Sequence, residues 1–261
     1  SNPGSFRPSS ARSRFIAATV ADGITPKPAL VIRKAITSIL CLKSQHMGDK
    51  VAKHLAKSLK VMPYLQHLDI SDNALTDEGL SAIIKQLRKC PNLVGVNLSR
   101  NKIDIKAATE LGVYLPSENC RLDELILQSA DVDDYEASQF VLAIGERNVI
   151  TKLNLSRNLL GAAENRAAID DLYPTGAGTL ATLLRNPSCS LQELILSWNM
   201  IRVSGQPLAL ALKENSSLTS LDLSYNGLGN DGAELLGLAL HYNTALRRIN
   251  LTQNKIMARG T

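Results

Sequence analysis

Apolar and polar positions alternate along this chain in one frame that keeps returning. From Leu65 to Leu75 the stretch LQHLDISDNAL has apolar residues at Leu65, Leu68, Ile70 and Leu75, with Asn73 between the last two. The frame recurs as LVGVNLSRNKI from Leu93, LDELILQSADV from Leu122, ITKLNLSRNLL from Ile150, LQELILSWNMI from Leu191, LTSLDLSYNGL from Leu218 and LRRINLTQNKI from Leu246. A degenerate copy, TSILCLKSQHM from Thr37, precedes them, and the eight starts lie 28, 28, 29, 28, 41, 27 and 28 residues apart. The alternation inside the frame predicts a short strand. Between frames the period changes: TDEGLSAIIKQLRKC and GNDGAELLGLALHYN both carry apolar residues three and four apart, which predicts a helix in each repeat.

The frame resembles the leucine-rich repeat pattern LxxLxLxxNxL, and its length of about 28 resembles the ribonuclease-inhibitor-like class, in which each repeat holds a full helix. The resemblance covers residues 37 to 261. It implies an α/β solenoid, a right-handed horseshoe with parallel strands on the concave face and helices on the convex face. Each repeat's leucines are buried only because its neighbours cover them. The motif asparagines, Asn73, Asn101, Asn158, Asn199, Asn226 and Asn254, stand where the chain leaves the strand. Their amides are expected to pair backbone groups of adjacent turns. Gln45 and Ala130 replace them in the first and fourth repeats, so that ladder is expected to be weakest there.

Residues 1–30 are Ser-, Pro- and Arg-rich, lack the apolar centre of a secretory signal, and read as a flexible basic lead-in to a repeat domain over 31–261. They account for +3 of the formal +5 charge, so the repeats are nearly neutral and no basic face for specific nucleic-acid binding is expected. No apolar run is long enough to cross a bilayer. Cys41, Cys90, Cys120 and Cys189 have no CxxC spacing and read as free thiols, which favours an intracellular setting. The last repeat ends at MARGT without a helix, so the chain reads as a piece of a longer protein or one capped by something else.

Signals of chemistry are weak. GAGTLA from Gly176 matches a dinucleotide fingerprint, but no strand precedes it, so no cofactor is expected. The acidic run DVDDYE lacks the spacing of a calcium loop and suits a helix amino terminus, so no metal is expected either. His67 beside Asp69 has neither nucleophile nor pocket. The protein is expected not to be an enzyme.

A protein partner fits better. Strand alternation turns His67, Asp69 and Ser71 toward the concave face, and in later repeats Gly95 with Ser99, Glu124 with Ile126, Lys152 with Asn154, and Glu193 with Ile195. That surface is polar with mixed charge, and Ile126 and Ile195 are its few apolar contacts. The residue before each motif asparagine forms a rim column: Ser44, Asp72, Arg100, Ser129, Arg157, Trp198, Tyr225 and Gln253. Arg157, Trp198 and Tyr225 are consecutive there, and these types are enriched at binding hot spots. Trp198 is either such an anchor or a lid lying over adjacent turns. An insertion near 161–175, carrying Tyr173, leaves from the same rim and is either a further wall or a neutral loop.

These features predict a protein-binding scaffold or adaptor. The alternatives are a regulator of an enzyme such as a small GTPase, as in the Ran GTPase-activating proteins that resemble this fold, or a cytoskeletal or ciliary component. The Ran activators carry an acidic tail after their repeats, and no such tail occurs here. A sensor of the NOD-like type needs a nucleotide-binding domain before the repeats, which these residues do not include.

Overall fold

The computed structural model describes residues 10–25, 37–147, 149–162, 175–202 and 205–257. Within them every copy of the frame forms a three-residue strand: β1 (Ile39–Cys41), β2 (His67–Asp69), β3 (Gly95–Asn97), β4 (Glu124–Ile126), β5 (Lys152–Asn154), β6 (Glu193–Ile195), β7 (Ser220–Asp222) and β8 (Arg248–Asn250). They pair in parallel and in chain order. The register joins equivalent positions, Glu124 to Lys152 and Lys152 to Glu193, so the 41-residue step leaves the pairing unchanged.

The helices are α1 (Ala11–Ala21), α2 (Gly48–Leu59), α3 (Asp77–Leu87), α4 (Ile105–Tyr114), α5 (Asp134–Arg147), α6 (Gly176–Arg185), α7 (Gly205–Glu214) and α8 (Gly229–Tyr242). Each packs on the next. Strand leucines such as Leu68, Leu125, Leu153 and Leu194 meet Leu55, Ile83, Leu111, Phe140 and Leu180 of the helices in one continuous buried core. Helices need about 8–10 Å between axes and strands about 4.8 Å, so stacking them repeat by repeat bends the array with its strands inside. This is the α/β solenoid the frame predicts. At its far end Leu246, Ile249 and Leu251 are only partly buried.

The motif asparagines work as a ladder. Asn73 donates through Nδ2 to the carbonyls of Leu42 and Ile70, both at 2.8 Å, and its Oδ1 accepts from the Gln45 and Met47 amides at 3.0 and 3.3 Å. Asn101 repeats the arrangement with Ile70, Asn73 and Leu75, and Asn158 with Leu127, Ala130 and Val132. Ala130 has no amide to offer. The Ile103 N–H, whose counterparts in other repeats donate to an Asn Oδ1, donates instead to the Ala130 backbone carbonyl at 3.0 Å.

A second asparagine column at the helix ends was not anticipated. Asn215 donates to the Leu184 carbonyl at 2.8 Å and accepts from the Ser217 and Leu218 amides, while Asn186 and Asn243 do the same one repeat before and after. The 29- and 28-residue steps between these three asparagines were the available signal.

The lead-in differs from its expected form. Residues 11–21 form a helix, α1, that packs on α2 and buries Ala11, Phe15 and Thr19. Its start is held by reciprocal bonds between the Ser10 and Ser13 hydroxyls and backbone amides, both at 3.1 Å. Thr19 escapes the usual cost of burial because its hydroxyl donates to the Phe15 carbonyl. At its end Asp22 lies 2.9 Å from Nε2 of the buried His54.

Candidate protein-binding surface

The rim column rests on a backbone feature that repeats eight times. Ser44, Asp72, Arg100, Ser129, Arg157, Trp198, Tyr225 and Gln253 all adopt left-handed φ between 53° and 58°. The turn off the strand demands it, and each N–H from Ser44 to Tyr225 donates to a carbonyl of the next repeat, Trp198 to Ser224 and Tyr225 to Thr252 at 2.9 Å. Bulky residues avoid this conformation, for which Asn or Gly is cheaper. Trp and Tyr here are therefore not explained by the turn.

Trp198 and Tyr225 stack with ring centroids 4.0 Å apart and planes 9° from parallel. The Arg157 guanidinium lies over the Trp198 ring as well, its Cζ 4.8 Å from the ring centroid. The three side chains thus form one continuous layered strip at the rim. Trp198 remains 45% exposed and Tyr225 39%, so the indole is not core. Such layers restrict side-chain freedom before any partner arrives.

The other predicted contacts divide by position. Ile126 and Ile195 are half-buried and flank Asn154 across β5, beside the alternating row Glu124, Lys152, Glu193. Arg100 is exposed on the rim two repeats before Arg157. Asp69 lies apart on β2, and its Oδ1 accepts the Ser71 amide at 2.9 Å. Asn97, Asn154 and Asp222 make the same bond in their repeats, so Asp69 has a structural duty in addition to any contact. Tyr173 and residues 163–174 of the insertion lie outside the described residues.

Two parts of the expected concave surface are absent from it. Ser71, Ser99, Ser156 and Ser224 are buried by the turn that follows their strands. Gly95 is covered by the imidazole of His67, whose Nδ1 stands 2.5 Å from where a Cβ would sit.

The chemical motifs resolve into capping. At the start of α6 the Gly176 amide donates to Asp134 Oδ1 at 2.6 Å and the Gly178 amide to the Thr175 hydroxyl at 3.0 Å, so a carboxylate and a hydroxyl occupy amides a phosphate would need. Asp134 also accepts the Gly161 amide at 2.8 Å, and one buried carboxylate ties both ends of the insertion. Asp49 and Asp77, also four residues after the motif position, cap the following turn likewise. In the acidic run Asp133 accepts the Tyr135 and Glu136 amides while Glu136 accepts the Asp133 amide. No metal-holding cluster occurs among the described residues.

Burial, then the neighbouring Asp133 side chain, pushes Glu136 up to about 7 from its ordinary 4.5. The folded state therefore holds a proton that the unfolded chain releases near 4.5, and Glu136's contribution to stability fades as pH rises from about 4.5 to about 7. Glu136→Gln keeps the cap acceptor and removes the titration. Urea midpoints at pH 5 and 7.5 are expected to show the variant gaining on the parent at the higher pH, and an equal offset at both would contradict the assignment.

Cys90, Cys120 and Cys189 are buried, Cys41 is exposed, and all four are free thiols. Burial raises Cys90 to about 11, which makes it inert at neutral pH. No helix among the described residues is long and apolar enough to cross a membrane.

Comparison with known proteins agrees with this architecture. The Leucine Rich repeat family matches residues 61–83 and 214–237. The chain is 29% identical over 92% of its length to mouse (Mus musculus) NACHT, LRR and PYD domains-containing protein 5, spanning 20% of that protein. It is 27% identical over 71% of its length to the pig (Sus scrofa) Ribonuclease inhibitor, spanning 39% of it. Over 75% of its length it is 27% identical to rat (Rattus norvegicus) Capping protein, Arp2/3 and myosin-I linker protein 3, spanning 14%. The chain thus covers between about a seventh and two fifths of these relatives.

Proposed function

Because the chain is a leucine-rich repeat protein of the ribonuclease-inhibitor-like class, we propose that it acts as a non-enzymatic scaffold that binds a protein through the concave face and rim of its solenoid. The layered strip of Arg157, Trp198 and Tyr225 carries this reading, since a half-exposed aromatic pair at a left-handed position serves no need of the turn itself. The alternating Glu124, Lys152 and Glu193 row with Ile126 and Ile195 would supply the polar and apolar contacts beside it. The relatives named above support binding over catalysis, and the pig relative is by name an inhibitor of an enzyme, so regulation of an enzyme is a special case of the same surface. An intracellular setting is part of the proposal and is supported by the free thiols.

Trp198→Ala tests the proposal. Affinity for a partner captured from cell extract is expected to fall by about 2 kcal/mol, near 30-fold. Stability should fall by only about 1 kcal/mol, the worth of the lost stack. A partner held equally well by Trp198→Ala and by Tyr225→Ala would refute the rim as its site.

A further inference from the structure

The near-neutral charge of the repeats conceals an uneven distribution. A groove on the convex side, along α2 and α3, is lined by Lys50, Lys53, Lys57, Lys60, Lys85 and Lys89, with Ala56, Ala82 and Gln86 and, toward the end of α1, Asp22 and the His54 it pairs with. All six lysines are exposed. Lys53 reaches Glu78 at 3.4 Å at one end, and Arg88 is paired with Glu110 at 2.8 Å beyond the other helix. Lys50, Lys57, Lys60, Lys85 and Lys89 make no ion pair among the described residues. Five like charges facing one groove repel one another, and a folded chain gains nothing from holding them together.

We propose that this groove binds an extended acidic segment of a partner protein. The row of unpaired positive charge carries the choice. Lys50, Lys53, Lys57 and Lys60 follow one side of α2 at steps of three, four and three residues, so their charges rise by about 4.5, 6 and 4.5 Å along the axis. An extended peptide repeats a side chain on the same side about every 6.6 Å and sends alternate side chains to opposite sides. Carboxylates on one side face the α2 lysines, and those on the other face Lys85 and Lys89 of α3. Lys57 and Lys85 are 28 residues apart and stand at equivalent positions of adjacent helices whose axes lie about 8–10 Å apart, so the two helices present parallel rows of charge on either side of one extended chain lying over their junction. The small Ala56 and Ala82 leave room for its backbone. Nucleic acid fits less well: no Phe, Tyr or Trp lines the groove, the His54 imidazole there is buried and offers no face to a base, and lysines are point charges without the planar fork that reads base edges. A bilayer is flat, and a concave cleft offers it only the rims of the charge.

This surface is independent of the concave rim, and the two proposals fail separately. The experiment titrates the protein into a fluorescein-labelled eight-residue glutamate peptide at low salt, in parallel with an eight-residue glutamine peptide, an oligothymidine and vesicles containing anionic phosphoinositide. Saturable binding of the glutamate peptide, absent with glutamine and weakened by added salt, is expected. Lys57→Glu combined with Lys85→Glu should lower that affinity at least about tenfold. Arg121→Glu with Arg247→Glu makes the same change of net charge on exposed sites elsewhere and should lower it less than about threefold. Equal losses in the two double variants would show attraction to overall charge and overturn the groove. Tighter lysine-dependent binding of oligothymidine or vesicles would overturn the acidic peptide as its occupant, as would no binding of the peptide at all. Circular dichroism of both variants confirms that each is folded before comparison.

Discussion

Asn73→Ala is expected to lower stability by about 3 kcal/mol, the larger of the single-residue effects in the repeat ladder. The size follows from which groups lose their only partner. Asn73 bonds five backbone groups, but Ile70's carbonyl keeps the Asn101 amide at 3.0 Å and Ser71's keeps the Ser44 N–H at 3.0 Å. Two are stranded in the buried turn, the Leu42 carbonyl and the Met47 amide, and the Gln45 amide loses its bond to Asn73 as well. At about 1 kcal/mol or more for each unmet buried group and about 1 for the lost bond, the total is near 3. Asn254→Ala should cost less, because Leu223's carbonyl retains Asn226 and the last repeat is only partly covered. Urea denaturation with both variants measures this order. Equal, small losses would mean that water replaces the ladder and that the asparagines are incidental.

Ala130 is the natural counterpart of that experiment. With alanine at the motif position, Ile103's N–H donates to the Ala130 carbonyl, and the turn closes one residue earlier than elsewhere: Gly48 and Gly229 reach the equivalent carbonyl from three residues past the motif position, Ile103 from two. The weak step expected at the fourth repeat is thus partly repaired by backbone. A point substitution in a finished repeat has no such rearrangement at hand, which is why Asn73→Ala is expected to be costly where Ala130 is tolerated.

What could be read from sequence, and what could not, divides along contact range. Strand positions, helix positions and the rim column followed from the frame alone, since a fixed repeat turns a sequence offset into a place on a surface. Trp198 was legible as a member of an exposed column for that reason. That Tyr225 lies flat against it was not, because ring orientation depends on the left-handed turn, and no residue type in Ser, Asp, Arg, Ser, Arg, Trp, Tyr and Gln announces that turn. The serines of the strand ends were misplaced because alternation was extended one step past a strand that is only three residues long. The basic groove was hidden by summing charge over the chain. Lys57 and Lys85 meet only when the 28-residue offset is applied to the helices as it was to the strands.

The amino-terminal helix was missed for a different reason, and it supports the second large prediction. Its buried residues are Ala11, Phe15 and Thr19, four apart on one face, but only the phenylalanine is a large apolar group, and alanine and threonine leave little periodic signal. The physical need for something there was nevertheless implied: in a solenoid each repeat is covered by its neighbours, and the first has a neighbour on one side only. Helix α1 fills the open side of α2 with Phe15 wholly buried, and Asp22 meets His54 at its edge. Phe15→Ala is expected to cost about 3 kcal/mol unless α1 detaches first, in which case the loss stops at the energy of docking. Deleting residues 1–24 separates the two cases by removing the helix outright. If the substitution and the deletion lower the urea midpoint alike, and amide exchange in α2 rises in both while α5 and α6 stay protected, α1 is a detachable cap. A larger loss in the deletion means that α1 stays docked around the cavity. An unchanged midpoint in the deletion would restore the flexible lead-in that the sequence suggested and remove α1 from the fold.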